Sequence, residues 1–128
     1  MEQMNYYHMY LRSPKWYKTR EKRKRIDGYK CAACGSIHDL NVHHLTYKRL
    51  GHEWIRRDLI TLCANCHTLL HKVMKLVKAD YKAIKKARFK ILAKWKVKRK
   101  IRKLLKKEIK NRATVRALAK IVWRDLKI

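Results

Sequence analysis

The residues of this chain best suited to chemistry crowd into one stretch, 29–71, which holds all four Cys and six of the seven His. The Cys fall as Cys31-x-x-Cys34 and Cys63-x-x-Cys66, with 28 residues between the pairs. Two such knuckles let four thiolates surround one ion tetrahedrally, the arrangement zinc takes in closed structural sites. No Cys is left over. In a chain expected to be intracellular, that pattern favours metal over disulfides, the alternative being two unrelated pairs of buried thiols. A segment of about 43 residues buries little apolar surface, so ligation would supply much of its folding free energy. The zinc is therefore expected to hold the fold and not to perform chemistry. Gly35 follows the first knuckle, where a tight turn needs a residue tolerant of positive φ.

With the thiolates assigned, His43-His44 and His67-x-x-x-His71 remain. A His pair at i and i+4 lies on one helical face, so two imidazoles can converge on one ion. Leu40-Asn41-Val42-His43 alternates apolar and polar, as a short strand does. Neighbours on a strand point to opposite sides, so His43 and His44 are expected to do different work. One faces the helix and its ion, and the other faces substrate. His8, His38 and His52 have no such companions and read as surface or local hydrogen-bond partners.

Three regions must position these groups. Residues 1–28 read as a basic helical segment, with Ser13-Pro14 as a helix start and Asp27-Gly28 as its stop. Residues 29–71 read as two knuckles around a short hairpin, followed by a helix from about Ala64. Residues 72–128 read as a Lys-rich helical extension. There Val73, Leu76, Val77, Tyr81, Ile84, Ala87, Ile91, Leu92 and Trp95 recur at spacings of three and four. Ile101, Leu104, Leu105 and Ile109 continue that stripe, which reads as packing with a solvated Lys face. Asn111 to Thr114 reads as a break before a last short helix. The fold class expected is α+β, a small core with a four-cysteine zinc clip between helical flanks.

Charge bears on the partner. The chain carries a net +27, and residues 72–128 hold 23 Lys and Arg against 3 acids. Such a field finds an anion, and nucleic acid, the commonest polyanion inside a cell, is favoured over anionic lipid. No apolar run approaches the roughly 20 residues that span a membrane, and no signal-peptide pattern opens the chain. A cytoplasmic protein with no membrane partner is the expectation.

The stretch Val42-His43-His44-Leu45-Thr46-Tyr47, then Asp58-Leu59-Ile60-Thr61-Leu62-Cys63-Ala64-Asn65-Cys66-His67 and finally His71, resembles the cysteine-bearing branch of the HNH endonuclease family. Ser13-Pro14-Lys15-Trp16 and Asp27-Gly28-Tyr29-Lys30-Cys31 are similar to the lead-in of such domains, so the resemblance spans roughly residues 13–71. It implies a ββα-metal fold, with one divalent ion (Mg²⁺, Mn²⁺ or Zn²⁺) between hairpin and helix. It implies His43 and His67 as ligands, His71 as a third, and His44 as the general base that draws a proton from water. An ordinary imidazole pKa near 6.5 suits that task. The implied activity is DNA phosphodiester hydrolysis, nicking as a monomer or cutting both strands as a dimer. Size and charge are similar to phage-borne or mobile-element members, which would place the protein in a phage-infected host.

One position departs from the family. Asp58 stands where the motif has Asn, nine residues before His67. Asn can donate to the backbone and so orient the base, whereas an ionised Asp only accepts. Asp58 is thus a catalytic candidate that accepts from a ring or backbone N–H or assists the metal, or else it caps the neighbouring turn. Glu53 is read as a solvent-facing charge, with the metal or its waters as the alternative. Tyr47 is read as packing under the hairpin, with DNA contact as the alternative. The rival to an enzyme is a non-catalytic, zinc-stabilised nucleic-acid-binding protein; a structural RNA-binding protein is a second.

Overall fold

The computed structural model describes residues 2–128, with side chains from residue 5 onward. It is mixed: seven helices and a two-stranded antiparallel sheet among the described residues. The chain divides into two compact units, the first running through Cys63 and the second spanning Ala64–Ile128. The division falls inside the cysteine- and histidine-rich stretch.

The first unit begins with α1 (Glu2–Leu11) and α2 (Pro14–Ile26). Ser13 separates them as the N-cap of α2: its side chain accepts from the Trp16 N–H, and Pro14 takes the first helical position. Proline suits that position because its missing N–H would have had no helical partner. Asp27 closes the helix, and Gly28 follows at φ 70°. Strand β1 (Leu40–His44) pairs with β2 (Leu59–Cys63), Leu40 opposite Cys63 and His44 opposite Leu59. One helical turn, α3 (Ile55–Asp58), leads into β2. All five residues of β2 are buried. Tyr10, Trp16 and Leu59 form the core here, with Leu11, Val42 and Leu50 packed against it.

Two polar ties seat α2 on this sheet. Arg23 donates through Nε and Nη2 to both oxygens of Asp27, at 2.8 and 2.7 Å, and through Nη1 to the Ile55 carbonyl at 3.0 Å. Asp27 in turn accepts the Thr61 N–H at 2.9 Å. Burial pushes the Asp27 carboxyl up, but the hydrogen bonds from Arg23 and Thr61 outweigh it and hold the group below its usual range. Thr61 also accepts from the Ala32 N–H at 2.9 Å, which lays the first knuckle along β2.

The second unit is helical: α4 (Ala64–Leu76), α5 (Lys78–Ile84), α6 (Lys90–Glu108) and α7 (Arg112–Leu126). Leu70 and Val73 of α4, Val97, Ile101 and Leu105 of α6, and Val115, Leu118, Ala119, Val122 and Leu126 of α7 are its buried face. These recur at helical spacing, and α7 packs on both α4 and α6. Asn111 caps α7 by accepting the Thr114 N–H, which is the break read in the sequence. The single stripe read through residues 73–95 needs correction. The helix stops after Leu76 and again after Ile84, and Ile91 and Trp95 lie 87% and 54% exposed. No Gly or Pro marks those stops, so the spacing ran on across them. Among the described residues no helix is long and apolar enough to cross a membrane.

Candidate functional site

The knuckles are built from local backbone geometry. The Cys34 N–H points to the Cys31 Sγ at 3.5 Å, and the Gly35 N–H donates to the Cys31 carbonyl at 2.9 Å. Gly35 has φ 78°, the left-handed turn the sequence anticipated. Strand β2 ends on Cys63 and α4 starts on the next residue, so Cys66 sits in the first turn of a helix. The thiol sulfurs of Cys31, Cys34, Cys63 and Cys66 all lie within 4.8 Å of one another. Cys34 and Cys63 are 3.6 Å apart at sulfur, too long for a disulfide bond of about 2.05 Å. Four sulfurs at about 2.3 Å from one zinc stand about 3.8 Å apart at the corners of a tetrahedron. The four-cysteine set fits a structural metal such as zinc.

A second set is histidine. His67 and His71, one helical turn apart on α4, bring their Nε2 atoms to 3.0 Å. One ring nitrogen each from His43, His67 and His71 lies within 4.8 Å of the others. Cis ligands about 2.1 Å from one ion are roughly 3.0–3.4 Å apart, so the pair on α4 has the separation of two ligands to a shared cation.

His44 stands apart from that set, as strand alternation requires. Its ring lies between Trp16, stacked at 4.7 Å, and Tyr47, stacked at 5.3 Å, and Tyr7 meets it edge-on. Its Nε2 is 3.0 Å from Glu53 Oε2, and the Tyr10 hydroxyl donates to Glu53 Oε1 at 2.6 Å. Burial pushes the His44 pKa below the ordinary imidazole value, against the Glu53 carboxylate, which pulls it back up. Burial likewise raises the Glu53 carboxyl, and the hydrogen bonds from Tyr10 and His44 more than offset it. The same surroundings lift the Tyr10 hydroxyl above its usual range, burial first and then Glu53.

Glu53 corrects the reading from sequence. It is not solvent-facing: its side chain is 1% exposed. No periodicity marks it, because it lies in the irregular stretch between the strands. Its one legible trait was being an acid in a region with few. Tyr47 is half exposed and covers His44 instead of packing beneath the hairpin. Asp58 is buried and accepts from both Arg49 Nε, at 2.8 Å, and Arg49 Nη2, as well as from the Trp54 N–H at 2.9 Å. Arg49 also lies over the Trp54 ring at 4.0 Å. Asp58 therefore binds the turn that leads into β2, and Arg49 first of all holds its carboxyl below the usual range.

Fold and site define an α+β protein with a small antiparallel sheet and a four-cysteine cluster able to hold a metal. Among curated proteins, anaredoxin of Nostoc sp. (strain PCC 7120 / SAG 25.82 / UTEX 2576) is 32% identical over 56 residues, covering 43% of this chain and 74% of that protein. The chain belongs to the anaredoxin family. No protein-family model matches it, and no solved structure does.

Proposed function

We propose that this chain is a metal-dependent DNA endonuclease of the HNH type. The observation that carries the reading is the division of labour among four histidines. His43, His67 and His71 offer three ring nitrogens within 4.8 Å, while the adjacent His44 turns away to a carboxylate partner. When bound, a divalent ion at the first three supplies positive charge for the scissile phosphate and leaving oxygen. His44 takes the proton of the attacking water. Its buried, carboxylate-tied ring is held in one orientation for that task. The four cysteines hold structural zinc, and Asp58 acts indirectly, by fixing the turn between Trp54 and β2.

DNA is the proposed substrate, bound through phosphate by the second unit, whose 23 Lys and Arg face only 3 acids in sequence. A single site nicks one strand, and a dimer cuts both.

One observation favours a second reading, the zinc-stabilised nucleic-acid binder without activity. His44 is 4% exposed, beneath Trp16 and Tyr47, and Asp58 has no donor to lend. The readings separate on supercoiled plasmid incubated with and without Mg²⁺ or Mn²⁺, beside His44→Ala. The nuclease converts plasmid to open circle only with metal and only with His44 present. General-base loss lowers the rate by about 10²–10⁴. Tight, salt-sensitive binding without conversion under any divalent ion leaves the binder.

A further inference from the structure

We infer that Glu53 is the positioning residue for His44, fixing which ring nitrogen is free to accept a proton. The inference rests on the nuclease reading for its consequence in catalysis, but its structural content stands apart from it. An ionised carboxylate only accepts hydrogen bonds. With Glu53 Oε2 at 3.0 Å, His44 Nε2 is therefore the nitrogen that carries hydrogen, and Nδ1 is left with its lone pair. The carboxylate is itself anchored, because Tyr10 donates to its other oxygen at 2.6 Å. Trp16 and Tyr47 hold the two faces of the ring, so tilt and in-plane rotation are both set.

Three separate segments converge here: Tyr10 from α1, His44 from the end of β1, and Glu53 from the stretch before α3. A base oriented by a third group is the general logic of nucleophile activation, and a ring locked in the wrong tautomer has no lone pair where it is needed. Asp58, which occupies the motif position, is committed to Arg49 and the Trp54 N–H. Glu53 thus takes the orienting task by accepting from the ring, where the family residue would have donated.

The test is the tautomer of His44, read from the nitrogen-15 shifts and ring couplings of the zinc-loaded full chain at neutral pH, beside plasmid nicking. In the wild type the signals are those of an Nε2–H imidazole. Glu53→Gln keeps that tautomer, since the amide carbonyl accepts the same N–H and the amide NH₂ can face the Tyr10 oxygen. Glu53→Ala loses it, and its nicking falls at least tenfold in kcat with KM for plasmid within twofold of wild type. Partial rescue of kcat by Gln over Ala completes the expected pattern. An Nδ1–H ring in the wild type overturns the inference, and requires no variant to fold. So does an unchanged tautomer in a folded Glu53→Ala protein. A wild type with the Nε2–H ring and no nicking rejects the nuclease reading and upholds Glu53 as the residue that sets the ring.

Discussion

Replacing Asp27 with Asn tests whether α2 is held on the sheet by charge or only by packing. Asp27 receives three donors: Arg23 Nε at 2.8 Å, Arg23 Nη2 at 2.7 Å and the Thr61 N–H at 2.9 Å. Asn offers one acceptor oxygen and turns an NH₂ toward the remaining donors. Arg23 keeps the Ile55 carbonyl but loses the carboxylate beside it. Removing one partner of a buried ion pair costs about 3–5 kcal/mol. Here the two side chains are 10% and 12% exposed, so water recovers part of that, and a loss of about 2–3 kcal/mol is expected. The assay is urea unfolding of the zinc-loaded chain, together with hydrogen exchange of the Thr61 amide, which reports this contact directly. The pH dependence carries a sign. The folded pKa of Asp27 is depressed, so its stabilisation is complete above the unfolded value of about 3.9. It is lost as pH falls through the folded value, and Asp27→Asn should flatten the acid limb of the stability curve. A loss below about 0.5 kcal/mol with unchanged Thr61 exchange would refute the argument.

Two further outcomes follow from the knuckles. Titrating the metal-free chain with Co²⁺ should give the intense visible absorption of a tetrahedral thiolate site at one equivalent. Cys34→Ser should weaken and shift that band, whereas an unchanged spectrum would remove Cys34 from the ligand set. Gly35→Ala should cost about 1–2 kcal/mol from backbone strain alone, because φ is 78° and an added Cβ meets nothing within 4 Å. Urea unfolding measures it, and a neutral result would mean that the turn relaxes to negative φ.

Sequence carried the clustering of the cysteines and histidines and the other short-range signals well. Cysteine and histidine spacing is local: Cys31 with Cys34, and His67 with His71, are juxtaposed by one turn of backbone whatever the rest of the chain does. Ser13-Pro14 was legible as a helix start, and Asn111 as a break, for the same reason. Glu53 was not. It reaches His44 across 9 residues and Tyr10 across 43, and nothing in its own neighbourhood encodes either partner. Asp58 was picked out by position, but Arg49, which claims it, was one basic residue among many. In the second unit, hydrophobic period gave helices but not their ends. Ile91, Leu92 and Trp95 kept the spacing of a buried face without being on one.

The outer edge of β2 has a consequence for how the protein behaves in concentrated solution. Leu59-Ile60-Thr61-Leu62-Cys63 is apolar but for Thr61, lacks Asp, Glu, Lys and Arg, and is free of proline, the composition that seeds edge-to-edge strand addition and fibrils. At its midpoint the N–H and C=O of Thr61 would be the template for an incoming strand. Asp27 takes the first and Ala32 the second. A carboxylate from a helix and a backbone amide from the first cysteine knuckle thus act as a guard rail, and Arg56 and Arg57 set positive charge just upstream. A metal held at the knuckle would therefore matter beyond folding free energy: by keeping Ala32 seated, it would keep this strand closed to its neighbours.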